Sequence, residues 1–148
     1  MKNLFDPAAA NQIKTRLAQL TPQSPRQWGK MTPAQMLAYC ALGMQWAVGG
    51  VVPERGPWPM RLVGRLIKPF VLRDDAPLRK DAPTAKSLVM TDSHNFQQER
   101  EQLLLLIDKF AAGAVTEHPH TFFGSLTPDE WAVLTYKHLD HHLRQFSV

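Results

Sequence analysis

Twice in this chain a threonine is followed by proline and then, three residues after the threonine, by a glutamine or glutamate. The two stretches are Met31-Thr32-Pro33-Ala34-Gln35-Met36 and Leu126-Thr127-Pro128-Asp129-Glu130-Trp131. In each, the threonine hydroxyl can accept from the amide three residues on, while the Gln or Glu side chain reaches back to the threonine amide. Proline at the first helical position loses nothing, because that N–H has no helical partner. The flanking apolar pairs, Met31 with Met36 and Leu126 with Trp131, have the spacing of a hydrophobic staple. Two helix starts are therefore written into the chain, and Asp6-Pro7 supplies a simpler third.

From these starts the periodicity predicts helices over Pro7 to Leu20, Pro33 to Val48, Ser93 to Ala111 and Pro128 to Phe146. On the third, Phe96, Leu103, Ile107 and Phe110 recur at helical spacing and form one apolar face. Gly49-Gly50 ends the second helix and Gly113 the third. No stretch alternates with period two, so strands are not expected. The fold class is all-α: a single domain over residues 1–148, built as a four-helix bundle with one long crossover connection, Gly49 to Asp92. A chain of 148 residues leaves no room for two full cores. Its composition, 44% hydrophobic and 20% charged, excludes disordered, collagen-like and coiled-coil classes.

The longest pure apolar run, Leu103 to Ile107, is far shorter than the roughly 18 residues of a membrane span. The first residues lack the apolar core of a secretion signal, and the one cysteine, Cys40, cannot form an internal disulfide. A cytoplasmic location is the expectation. Residues 51–80 hold seven basic and three acidic residues, a net +4 equal to that of the whole chain. That falls short of the aromatic-interleaved basic face of a nucleic-acid binder, so nucleic acid is not expected as a partner.

The connection is too long for a bare loop and carries Trp58, Met60, Leu62, Val63, Leu66, Ile67, Phe70, Val71 and Leu72 among its basic residues. A short extra helix from about Pro59 to Lys68 is predicted. It can be a crossover covering one end of the bundle, or a basic amphipathic element for a membrane surface or a partner protein. The crossover is the expectation, and a membrane partner is not.

Chemistry points to the last helix. Ala132, Tyr136, Leu139, Leu143 and Phe146 form its core stripe, at about 100° per residue. His142 then lies about 80° to one side and His138 about 120° to the same side, while His141 points away into solvent. His138 and His142 are stacked one turn apart, the spacing at which two imidazoles share a metal ion. The bland alternative is a pair of satisfied edge histidines. A catalytic metal would need a third protein ligand. Candidates are His94, His118 and His120, and no spacing singles one out. Lys137 and Arg144 read as solvated charges or as attractors of an anionic substrate, and Asp140 points away from the cleft.

The run Tyr136-Lys137-His138-Leu139-Asp140-His141-His142-Leu143-Arg144-Gln145-Phe146 resembles the C-terminal motif of the DinB/YfiT-like superfamily of metalloenzymes, in a branch described as a domain of unknown function. Trp28-Gly29-Lys30-Met31-Thr32, Gln35-Met36-Leu37, His118-Pro119 and Phe123-Gly124 are similar to that branch too. The resemblance implies a four-helix bundle, often a homodimer, with a divalent metal (Zn, Ni or Fe) held by three histidines. Two of these match His138 and His142. The third position, on the second helix, is Tyr39 here, a residue that ligates only as phenolate and favours harder ions than zinc. Tyr39 lies about 100° off its helix's core face, on the side of Gly43 and Trp46, where it could reach the same cleft. It can be a replacement ligand, a phenol donor to substrate, or a core-edge tyrosine. Cys40, one residue on, faces the core as an inert thiol. The resemblance implies a metal-dependent transferase or hydrolase acting on a small molecule, with a low-molecular-weight thiol as co-substrate. The alternative is a non-catalytic relative that lost its metal through Tyr39 and binds a ligand or a protein.

Overall fold

The computed structural model describes residues 1–80 and 90–148. Five helices follow in order: α1 (Pro7–Gln19), α2 (Pro33–Ala47), α3 (Trp58–Leu72), α4 (Phe96–Ala111) and α5 (Pro128–Arg144). Among the described residues there is no strand, only one bridge between His120 and Gly124. Residues 81–89 of the predicted crossover lie outside the described residues.

The helix starts form as their chemistry requires. Thr32 Oγ1 accepts from Gln35 N at 3.2 Å while Gln35 Oε1 accepts from Thr32 N at 3.0 Å. Thr127 and Glu130 repeat the exchange at 3.2 and 2.9 Å. Asp6 caps α1 through Ala8 N at 2.9 Å. The start predicted at Ser93 moves to Phe96, because Asn95, and not a residue upstream, accepts from Gln98 N at 3.0 Å. Each cap satisfies an amide that the helix itself cannot.

Helices α1, α2, α4 and α5 share one core. α2 packs on α4, α1 bridges α4 and α5, and α2 also meets α5. Ile13 and Leu17 of α1, Met36 and Met44 of α2, Leu103, Ile107 and Phe110 of α4, and Leu139 and Leu143 of α5 are buried within it. Phe5 stacks on Phe110 with ring centroids 5.3 Å apart. Each such side chain contributes about 1.5–3 kcal/mol by leaving water.

The predicted short helix is longer than expected. It runs through Pro69 to Leu72, although proline forfeits one helical hydrogen bond. Tertiary contacts hold its last turn: Lys137 Nζ, from α5, donates to Val71 O at 2.6 Å and to Asp74 O at 3.0 Å. Lys137 is thus not a solvated charge; it is 6% exposed and spends its ammonium on the orphan carbonyls at the end of α3.

Candidate functional site

The core stripe of α5 is buried as its periodicity requires, and this sets the azimuth of every other residue on the helix. His138 and His142 face α2 side by side, and Tyr39 of α2 meets both. Ring centroids are 5.3 Å apart for Tyr39–His138, 5.1 Å for Tyr39–His142 and 4.8 Å for His138–His142. The three residues singled out from spacing and resemblance therefore form one cluster.

Glycines make room for it. A Cβ at Gly43, one turn beyond Tyr39, would lie 3.4 Å from Cε1 of His138, so the bare backbone of α2 gives that ring its berth. Gly29 has φ +74° and a Cβ there would come within 2.5 Å of Gln145 Nε2. Only glycine both adopts that backbone readily and leaves space for the amide.

Gln145 in turn sets the proton on His142. Its Nε2 donates to Trp28 O at 2.9 Å, which turns Oε1 toward Nδ1 of His142 at 3.0 Å. A carbonyl oxygen only accepts, so Nδ1 carries the hydrogen and Nε2 of neutral His142 keeps its lone pair. Burial holds His142 down at about 4, with His141 adding to the effect and the Gln145 bond opposing it. Burial, then the neighbouring His142, His141 and His120, holds His138 well below the ordinary 6.5. Both imidazoles are therefore neutral bases at pH 7.

His141 does not point into free solvent as its azimuth suggested. It packs 5.5 Å from the Trp28 ring and 5.0 Å from the His142 ring, because the chain before α2 folds back over that side of α5. A cleft of about 310 Å³ lies beside it, lined by Trp28, Leu78, Lys80, His141 and Arg144. Lys80 covers the outer face of Trp28 at 4.4 Å. Asp140 does turn away from the cluster. It accepts from Arg16 at 2.6 Å and Arg144 at 2.8 Å, tying α5 to α1.

The other histidines separate by their hydrogen bonds. His94 Nδ1 lies 2.9 Å from Glu99 Oε1, and His118 is exposed. His120 sits in a tight loop closed by its own bridge to Gly124. Its Nδ1 accepts from Phe122 N and Phe123 N at 3.1 and 3.2 Å, which places its hydrogen on Nε2. Burial lowers it to about 4. It packs 5.4 Å from the ring of Trp131, whose buried Nε1 finds no hydrogen-bond partner among the described residues. His120 was one of the three candidate third ligands in the sequence, but a loop histidine shows no periodicity that could single it out. Cys40 is buried, its Sγ 3.6 Å from Met36 Sδ, and burial pushes its thiol far up, as an inert group requires.

Among the described residues no group of three or more His, Cys, Asp or Glu side chains could hold a metal ion. Also among them, no helix is long and apolar enough to cross a membrane. A family model described as Protein of unknown function (DUF1569) matches residues 4–148. No curated protein and no solved structure matches the chain.

Proposed function

The chain belongs to the family described as Protein of unknown function (DUF1569), and we propose that it is a metal-dependent enzyme of the DinB/YfiT-like type acting on a small molecule. In this reading α1, α2, α4 and α5 are the four helices of a DinB-like bundle. The observation that carries it is the convergence of Tyr39, His138 and His142, with the proton of His142 held on Nδ1 by Gln145.

The donor set fits an ion in this respect: two neutral imidazoles lie one turn apart, and His142 presents the Nε2 lone pair that a divalent ion takes. With no third histidine, Tyr39 would supply the third protein donor through its phenol oxygen. That favours a harder ion, iron above zinc. Such an ion, when bound, lowers the pKa of a coordinated thiol or water to give a nucleophile at neutral pH. The chain's own residues do the rest. Gln145 keeps the imidazole of His142 in the ligating tautomer, Gly43 and Gly29 set the position of the rings, and Trp28 shields the His141 side from water. Lys80 and Arg144, on the cleft beside His141, suit a substrate with an anionic group, as many low-molecular-weight thiols have.

A second reading has its own observation: a tyrosine stands where the third ligand would be, and no third His, Cys, Asp or Glu joins the described pair. It makes the protein a non-catalytic relative that binds a ligand or a protein. Metal analysis after loading with Fe, Ni, Zn and Mn separates the two. Stoichiometric binding that His138→Ala and His142→Ala each abolish supports the enzyme. Binding far below stoichiometric with every ion overturns it in favour of the second reading.

A further inference from the structure

Helix α3 lies on the protein with its apolar face outward. At about 100° per residue, Trp58, Leu62, Leu66, Phe70, Val63, Ile67 and Met60 occupy one arc of about 200°, and all seven are exposed. Trp58 is 74%, Leu66 65% and Phe70 64% exposed; with Leu62 they form a ridge at i, i+4 spacing. The opposite arc, which meets the protein, is built from Gly64, Lys68, Arg61 and Leu72. Lys68 pairs with Glu130 at 2.8 Å and donates to Ser125 O at 3.3 Å. A Cβ at Gly64 would fall 2.0 Å from Phe122 O, so the helix is seated on its glycine and its cation. A crossover that covers a core would do the reverse.

We propose that α3 is a docking element for an anionic membrane surface, its apolar ridge entering the acyl boundary and the surrounding cations meeting lipid headgroups. Charge selects this occupant. Residues 51–80 are net +4, and Asp74 and Asp75 are engaged within the protein, by Lys137 and Arg73 and by the Lys2 amide. Arg55, Arg61, Arg65 and Arg79 form no ion pair among the described residues. A second copy is disfavoured by the same charges. Pairing two copies through α3 would bring together two segments of net +4 each. A convex ridge also needs no matching groove in a bilayer, where a protein partner would have to supply one. Aromatic residues near the two ends of the ridge, with Arg73 5.5 Å from the Phe70 ring, suit the depth at which headgroups meet chains.

The test is co-sedimentation of the full chain with phosphatidylcholine vesicles, with and without phosphatidylserine, together with tryptophan fluorescence. Binding is expected to the phosphatidylserine vesicles, weakening as salt rises, with a blue shift that Trp58→Phe removes. Leu66→Glu and Phe70→Glu, both at exposed positions, should abolish binding with unchanged circular dichroism. Leu105→Glu, exposed on α4, should bind normally. Arg65→Gln should weaken binding about fivefold. Failure to pellet with phosphatidylserine vesicles overturns the proposal, whether sedimentation velocity then shows a dimer that Leu66→Glu dissociates or a monomer. Retained pelleting of Leu66→Glu and Phe70→Glu, or equal binding to neutral vesicles, overturns it as well.

Discussion

Gln145 Oε1 accepts from His142 Nδ1 at 3.0 Å, and a second bond, from Gln145 Nε2 to Trp28 O, leaves the amide no other orientation. One side chain three residues from a histidine thus decides which ring nitrogen carries the hydrogen. Gln145→Leu should redistribute the proton between Nδ1 and Nε2, read directly from the ¹⁵N shifts of His142 at neutral pH. Where an ion binds the pair, its affinity should fall about 10–100-fold in that variant. A wild-type ring protonated at Nε2 contradicts the assignment.

Tyr39→His would set three imidazoles together, where the rings lie 5.3 Å or less apart in the parent. Zinc affinity should rise by at least about a hundredfold, the third neutral nitrogen completing a set that the phenol suits poorly. Calorimetric titration checks it. Unchanged zinc affinity would mean that the rings meet by packing alone.

Burial lowers His120 from 6.5 to about 4 while the unfolded chain keeps the ordinary value. Between those two values the unfolded state binds a proton that the folded state excludes, so stability falls as pH drops from about 6.5 toward about 4. His120 contributes roughly 2–3 kcal/mol to that loss. Urea unfolding of the metal-free protein across this range should show it. His120→Asn, whose side-chain oxygen can still accept from the Phe122 and Phe123 amides, should flatten the slope by one proton.

Asp140 accepts from Arg16 Nη1 at 2.6 Å and Arg144 Nε at 2.8 Å, and Arg16 also donates to Val148 O at 2.7 Å. Removing the carboxylate leaves a half-buried guanidinium without its counter-charge. Asp140→Ala should cost about 2 kcal/mol in chemical denaturation, and Asp140→Asn somewhat less. A loss within about 0.5 kcal/mol, the scale of an ordinary surface change, would deny the network that role.

Gly64→Ala should lift α3 from the 120s loop, since its methyl meets the Phe122 carbonyl and backbone cannot step aside cheaply. A loss of about 1–3 kcal/mol is expected, together with faster amide exchange over α3. Unaltered exchange there would mean that the helix is not seated through this glycine.

Helix starts were readable because a cap is local chemistry. Thr32 with Gln35 and Thr127 with Glu130 close their bonds within four residues, and no distant contact is needed to place them. The pairing of His138 with His142 was readable for the same reason, being one helical turn. Their meeting with Tyr39 required the bundle geometry and came from likeness to a family. Resemblance also marked Trp28-Gly29, but not what these residues do, namely hold an amide against His142. Lys137 and His141 were misplaced because azimuth on one helix says nothing of what another segment lays over it.

Periodicity and capping depend on bonds that span a single turn, so residue order alone carried them: where helices begin, which stripe of α5 is buried, and that two imidazoles share one side. Orientation between distant segments depends on surfaces that compete for burial. Only the packed chain could put Lys137 under the end of α3, fold Trp28 over His141, and seat α3 on Gly64 and Lys68 with its apolar ridge turned outward. The reason is physical. The free energy of those choices lies in contacts between residues tens of positions apart, each too weak to leave a mark on its own neighbours in the chain.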